Sequence, residues 1–480
     1  MARRDRKTTF YILFLSLLLS LLILYKISLP KRLSPKTIPI PNVTTQLRFN
    51  ERLIQVDNAE STTGKKSSRL SRLGMTGKSR SKAEQTGADP NLEFVEFMMT
   101  CSTRGSPNAE IFDTFVSLKY QIMEVRVEYD ANSITYNPTI VALPSSSHYQ
   151  FLIVSRIYSD GYTQRSVICE GKYMDETKDN AYGFPVTTRI ISCATAPKEL
   201  VLPPTPARDC LSNNFMAQIP GFHDPRVFWS NDGAPLMIFN QQSRYGCFGL
   251  WLIDLRSVYP SLRYRVNRGL LNHYPTVIEV TRRERRAVEK NYIIFYDSET
   301  SESYVQYEIG FNNRHISRLI GNGLSSFNVT SPNEHSCITE DAMWHQATNA
   351  IKIVLCNYGE CQPTPENTAY LAFLHKKETM AYKVQYKRYL VLWRTKYPFE
   401  VIAISDKFIR FDDEDAWEQK FDVEGKFMYT VSIAWETNLN RHEGYLSEKV
   451  IISLGVGDHG NAAVILPARD LLVCMRSCLY

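Results

Sequence analysis

Three ionisable side chains fall close together in Pro220-Gly-Phe-His-Asp-Pro-Arg-Val-Phe-Trp229, namely His223, Asp224 and Arg226. A carboxylate beside an imidazole and a guanidinium can move a proton while the cations hold an anion. Pro225 stiffens the turn between them, and an apolar run follows at once, so the group stands at the start of a strand. The same residues also suit an ordinary Asp-Pro turn whose arginine pairs with a surface carboxylate. The segment alone does not choose between the two.

Other polar groups occupy comparable places. Thr339-Glu-Asp341 through Trp344-His345-Gln346 precedes an apolar run, and Gly455-Val-Gly457-Asp458-His459-Gly460 follows the last strong one. Gln241-Gln-Ser-Arg244-Tyr245 leaves the strand after the Asp224 segment. Shared placement at strand ends favours convergence on one site. Asp412-Asp413-Glu414-Asp415 reads differently. Asp413-x-Asp415 has the spacing of a metal-holding carboxylate pair, but four successive acids before Ala-Trp-Glu read as a solvated loop, and no metal is expected. Arg282-Arg-Glu-Arg-Arg286 reads as a charged loop, since 56 basic against 50 acidic residues leave only +6 over 480, which disfavours a nucleic-acid partner.

The elements that must position these groups are strands. Thr139–Leu143 and Tyr149–Val154 are short apolar runs around a Pro-Ser-Ser-Ser turn, and Arg226–Trp229 and Pro235–Asn240 flank Ser230-Asn-Asp-Gly233. Ala342–His345 with Ile351–Leu355, and Tyr429–Ala434 with Val450–Leu454, repeat the pattern, which is the signature of β-hairpins. Five such groups begin near residues 137, 223, 274, 340 and 399, an irregular recurrence that suggests a five-bladed β-propeller rather than a solenoid. In a propeller the start of each innermost strand faces a central funnel. No strand–Gly-rich loop–helix fingerprint is present, so a dinucleotide-binding fold is disfavoured.

The chain's beginning places this domain. Arg3, Arg4, Arg6 and Lys7 precede an apolar run over 10–29, long enough to span a bilayer as an uncleaved anchor with a cytosolic tail at 1–9. A cleaved signal peptide is the alternative, but Tyr25–Pro30 holds no small-x-small site. The short Leu-rich span suits the Golgi, with the ER next. Residues 30–91 are rich in Ser, Thr, Lys, Arg and Pro and read as a disordered stem, and 92–480 as a lumenal β-domain. All ten cysteines lie after residue 100, which in that compartment implies disulfides. Asn42-Val-Thr and Asn328-Val-Thr are glycosylation acceptors, whereas Asn137-Pro-Thr is excluded by its proline.

Asn137-Pro-Thr-Ile-Val, His223-Asp-Pro-Arg-Val-Phe-Trp, Gln242–Leu255, Trp344-His-Gln-Ala-Thr-Asn349 and the closing Ile451–Cys478 resemble, in collinear order, the fungal β-1,2-mannosyltransferases. The resemblance implies a type II Golgi enzyme of cell-wall glycan synthesis. It implies transfer of mannose with inversion from GDP-α-mannose to mannan or another mannosylated glycoconjugate. The Asp-Pro-Arg turn and the final Ile-Ser-Leu-Gly-x-Gly-Asp are also similar to the five-bladed mannoside phosphorylases, where the turn reads Glu-Asp-Pro-Arg. Carried over, Asp224 is the catalytic base, His223 stands at the Glu position, and Arg226 orients Asp224 or binds phosphate. Asn137, Arg156, Arg208, Arg244, Asp341, Trp344, His345 and Asp458 are the candidates for holding the substrates. No cofactor or metal is expected. The rival readings are a mannoside hydrolase or phosphorylase of the same type and a lumenal mannan-binding protein without turnover.

Overall fold

The computed structural model describes Cys101 and residues 107–478, apart from 159–162, 181, 203–204, 206–209, 211–218, 222, 267–268, 311–313, 331–337, 339–343, 381–382, 421–426 and 439–442. The chain divides into two compact units, 1–83 and 84–480, and the described residues all belong to the second. The expected tail, anchor and stem, the acceptor Asn42, and the candidates Arg208 and Asp341 lie outside the described residues. Among the described residues no helix is long and apolar enough to cross a membrane.

The described chain is all-β, and most of its strands form antiparallel meanders. The first joins Ile134–Ala142, Phe151–Tyr158, Arg165–Asp179 and Pro185–Cys193. The second joins His223–Trp229, Pro235–Gln241, Gly249–Asp254 and Ile278–Val280. Ile293–Tyr296, Ser303–Glu308, His315–Ile320 and Leu324–Asn328 make the third. The fourth opens with a strand split into Trp344–Gln346 and Ile351–Val354, then runs through Thr368–Met380, Lys383–Arg394 and Val401–Ser405. In the fifth, Met428–Trp435, Lys449–Val456 and Gly460–Pro467 are completed by Met123–Arg126 from the other end of the described chain.

Two of the expected hairpin starts are corrected. The run near 274 is Ile278–Val280, which closes the second meander, and the run near 399 is Val401–Ser405, which closes the fourth. The third and fifth meanders begin later, at Ile293 and Met428. Outer and inner strands share the same apolar alternation, so hydrophobic pattern alone does not rank them. Asp412–Asp415 is a solvated loop only in part, since Asp412 and Asp415 are exposed. It leads into the helix Glu414–Lys420, with Glu414 buried against Arg388 at 3.1 Å and Asp413 accepting from the Ile122 N–H at 3.0 Å. Acids suit this position because a helix N-terminus is electropositive.

Closure is reinforced covalently. Met123–Arg126 also pairs in parallel with Pro185–Cys193, joining the first and fifth meanders in one nine-stranded sheet. Cys101–Cys474 ties the same two ends of the described chain across 373 residues. Cys169–Cys193, Cys210–Cys247 and Cys356–Cys361 are further disulfides, and Cys478 is disulfide-bonded as well. The expected disulfide framework is therefore present.

The opening strands of the meanders are tied to one another through side chains. Arg226, only 1% exposed, donates from Nε to the Ala347 carbonyl at 2.8 Å. Its Nη2 reaches Asn291 Oδ1 at 3.3 Å and the Tyr429 hydroxyl at 3.5 Å. The next residue, Val227, donates its N–H to Thr139 Oγ1 at 3.1 Å. Two consecutive residues of the second meander thus touch all four others. Asn349 adds a two-way bond to Ile433, with Nδ2 donating at 2.8 Å and Oδ1 accepting at 3.2 Å. Replacing Arg226 strands buried acceptors in several meanders, so Arg226→Met is expected to lower unfolding free energy by about 3 kcal/mol or more. Urea denaturation checks this, and a loss under about 1 kcal/mol would show that the guanidinium is not a structural tie.

Candidate active site

Asp224 and Asn137 stand at equivalent places in two neighbouring meanders. Each precedes a proline, Pro225 and Pro138, at the start of an opening strand. Each is in the left-handed region, with φ of 47° for Asp224 and 53° for Asn137. The register of each strand against its neighbour shifts at that point, between Tyr136 and Thr139 in the first meander and opposite Ile238 and Asn240 in the second. A bulge of this kind re-aims a side chain out of the pleat. Asn291, just ahead of the third meander, is left-handed too at 62°, as is Asp458 at 54° in the turn after Lys449–Val456. Such backbone costs on the order of 1 kcal/mol per residue and clusters where function over-determines the chain.

Asp224 pairs with Arg156 and Asn137 with Asp458, while Asn291 is held by Arg226. Arg156 Nη1 donates to Asp224 Oδ1 at 2.7 Å. Its guanidinium lies 4.7 Å over the Tyr136 ring and also donates to Gln164 Oε1. Tyr136 and Arg156 are register partners on adjacent strands, which sets that stacking. Asn137 Nδ2 donates to Asp458 Oδ1 at 2.7 Å, while Asn137 Oδ1 is buried without a hydrogen-bond partner. Gly455 makes room for the amide, since a Cβ there would stand 1.6 Å from Asn137 Oδ1. His459 stacks on Tyr158 with centroids 6.1 Å apart.

Asp224 sits deep among neighbours, yet 39% of its side chain reaches solvent. Burial pushes its pKa up, but Arg156 first, then His223, Arg226 and Lys290, outweigh burial and hold the carboxyl below its ordinary value. The group is ionised at neutral pH. Arg156 engages Oδ1, and Oδ2 has no protein hydrogen bond among the described residues. His223 is buried edge-on against Phe248 at 5.0 Å, and burial, with help from Arg156, pushes its pKa down to about 4. It is therefore a neutral imidazole at pH 7, not a cation for phosphate.

The other expected site residues divide. His345 is half-buried opposite His375, and burial, then Lys290 and Lys377, push its pKa down. Trp344 points to the other face of that strand and packs edge-on against Tyr389 at 5.0 Å. Arg244 leaves Pro235–Gln241 toward the outer strands, donating its N–H to Glu279 at 2.9 Å and laying its guanidinium 5.1 Å over Trp251. Arg226 holds the meanders together, and the ion pair with Asp224 falls to Arg156 instead. Asn328 is exposed, its amide turned in a local Asx arrangement with Thr330. Tyr136, Gln164, Lys290 and Asn291 are not among the candidates the sequence offers. The signal that could have found two of them is Lys290-Asn291, a polar pair ahead of an apolar run as at His223-Asp224. A cavity of about 440 Å³ lies at the opposite ends of the opening strands and includes none of these residues.

The His223 shift has a sign that can be measured. Its native pKa near 4 lies below the unfolded value of 6.5, so between these limits the unfolded chain binds the proton and stability falls as pH falls. His223→Gln is expected to remove that contribution, about 3 kcal/mol over the window, without altering stability above pH 7 through titration. Denaturant midpoints of both proteins between pH 7 and 4 check this. Parallel curves would show that His223 titrates normally.

No protein-family model matches this chain, and no curated protein matches it. Solved structures do resemble it. A putative glycoside hydrolase from Parabacteroides distasonis is similar at 13% identity, with 76% of this chain and 95% of that one covered and a TM-score of 0.36. A structure from the GH130 family of mannoside phosphorylases, described as containing hydrolases that target β-1,2-mannosidic linkages in Candida mannan, is similar at 12% identity, covering 77% and 93% with a TM-score of 0.38. An α-L-arabinofuranosidase from Podospora anserina with cellotriose is similar at 11% identity, covering 73% and 98% with a TM-score of 0.31. At these values the likeness settles nothing about what this chain does.

Proposed function

We propose that this chain is a carbohydrate-active enzyme that works on mannosides, with its five meanders as the blades of a propeller and Asp224 as the carboxylate that moves the proton. The observation that carries this is the placing of left-handed Asn137 and Asp224 at the starts of two neighbouring opening strands, with Arg156 bound to Asp224 and left-handed Asp458, from a facing turn, bound to Asn137. A rigid floor with fixed charges is what an anomeric substitution needs, because its transition state spreads positive charge over the sugar ring.

The finer reading is β-mannosyl transfer from GDP-α-mannose, the donor that the sequence resemblance implies. Asp224 is ionised at rest and suits a base. It takes the proton of the acceptor hydroxyl, the acceptor oxygen bonds to the anomeric carbon, and the bond to the diphosphate breaks with its electron pair leaving on phosphate oxygen. Lys290 places positive charge at the same end of the strands, where a departing anion is stabilised. Placement in the Golgi membrane through residues 10–29, glycosylation at Asn42 and Asn328, and turnover without a metal belong to this proposal.

Cleavage of a mannoside is the second reading, and Asp458 favours it. A carboxylate held by Asn137 near the same arginine supplies the second group that a hydrolase needs to activate water. In that direction Asp224 must start protonated, against the pull of Arg156.

The purified full-length chain is given GDP-mannose with α-mannan, and separately β-1,2-mannobiose with and without phosphate. Mannan extended by β-linked mannose supports transfer, whereas free mannose or mannose 1-phosphate supports cleavage. Asp224→Asn is expected to lower kcat about 10²–10⁴-fold in either case. For transfer the acid limb assigned to Asp224 lies below the ordinary aspartate range, because Arg156 holds the carboxyl down, and chelator leaves the rate unchanged. Binding of mannan without turnover under all these conditions would sink the enzyme reading.

A further inference from the structure

The opening strands of the meanders have two ends, and the second end is also hollow. The cavity of about 440 Å³ is lined where these strands finish, by residues of Val141–Pro144, Phe228–Gly233, Ile294–Tyr296, Asn349–Lys352 and Ile433–Asn438. Its volume falls within the roughly 300–1,000 Å³ of small-ligand sites. Asn349 and Ile433 form part of its wall, and the Arg226 tie lies between it and the Asp224 site along the strands.

The wall chemistry is specific. Trp229 and Trp435 are half-buried indoles, with Tyr296 beside them, so aromatic surface faces the space without being fully covered by protein. Trp435 is fixed in place, since a Cβ on Gly444 would stand 2.5 Å from its ring carbon Cε2. Its indole nitrogen is buried and has no hydrogen-bond partner. Asp232 and Lys352 are the carboxylate and ammonium of the lining, and both are engaged. Asp232 meets His273 at 2.5 Å, and Lys352 Nζ donates to Asn231 Oδ1 at 3.1 Å. Their charges cancel, and the rest of the lining is aromatic, aliphatic, amide and hydroxyl.

We infer that this cavity is a second binding site, separate from the Asp224 funnel, for a neutral glycan unit of one or two hexopyranose rings. A pyranose has a face of C–H bonds that lies on an indole and a rim of hydroxyls that meet amide and ammonium groups, which is the distribution found here. A charged ligand finds no unopposed counter-charge. The site stands whether the funnel transfers or cleaves, because it shares no residue with it.

Mannobiose is the probe, titrated by calorimetry and followed by tryptophan fluorescence on the full-length chain. Trp229→Ala and Lys352→Met are compared with Arg156→Met, which alters the funnel alone. The expected result is a binding step that survives Arg156→Met and is weakened at least tenfold by Trp229→Ala or by Lys352→Met. Lys352→Met keeps the side chain's length, so it reads the site even where loss of the indole disturbs folding. Loss of all mannobiose binding in Arg156→Met with no effect of either cavity substitution overturns the inference. Absence of any mannobiose binding in the parent overturns it equally, as does a cavity that takes only p-nitrophenyl phosphate.

Discussion

The buried guanidinium of Arg226 is the constraint on which the rest of the molecule depends. A charge at 1% exposure is tolerated only where hydrogen bonds replace its water, and its described partners come from three other meanders: Ala347, Asn291 and Tyr429. No one of the meanders satisfies it alone. The opening strands must all be in place before the cation is solvated by protein, which couples their positions. The neighbouring Val227–Thr139 bond brings in the remaining meander at the same level.

That coupling explains how strained backbone survives. Asn137, Asp224 and Asn291 each hold a left-handed conformation at the start of an opening strand, and Asp458 does so in a facing turn. Left to itself each would relax, and Pro138 and Pro225 make the preceding residue more restricted still. Asn291 is held by Arg226 and by Gln346, whose Nε2 donates to its carbonyl at 3.0 Å, while Asn137 is held by Asp458 and the bare backbone of Gly455. The strain is thus local, and what opposes it is distributed over the meanders. Reactive geometry at Asp224 inherits the stiffness of the whole ring of contacts.

Much of this was legible in the sequence, and the misses have a common cause. Alternating apolar runs around Asn, Gly and Ser turns gave the all-β class, and the Asp-Pro-Arg stretch gave Asp224 as the residue to watch, because both signals are local. The order of strands within a meander was not legible, since Ile278–Val280 and Val401–Ser405 are as apolar as an opening strand. Nor was the division of labour between arginines. Arg226 sits two residues from Asp224 in sequence, a spacing that would put both on one face of a regular strand, but the left-handed bulge at Asp224 breaks the alternation, and Arg226 turns inward to Ala347. Arg156, far off in sequence, reaches the carboxylate from the neighbouring meander. Pairings set by closure leave no trace in spacing. The completing strand Met123–Arg126 is the same case, paired with Gly460–Pro467 from the opposite end of the described chain.

The ion pair also sets what a ligand must do on arrival. Arg156 is braced by Tyr136 and Gln164 and occupies Asp224 Oδ1, so the carboxylate cannot turn without losing a short charged bond. If Asp224 is the proposed base, a substrate hydroxyl would meet Oδ2 in a fixed direction, and the proton it gave up would add to a carboxylate already stabilised as an anion. Such a group accepts a proton reluctantly in the ground state. On the proposed role it would become a stronger base only as negative charge built nearby and offset the field of Arg156, Arg226 and Lys290. A departing anion at the Lys290 end would do this at the moment the bond breaks. In the proposed reaction, proton transfer and departure of the leaving group would thus be linked through one electrostatic field rather than through separate residues.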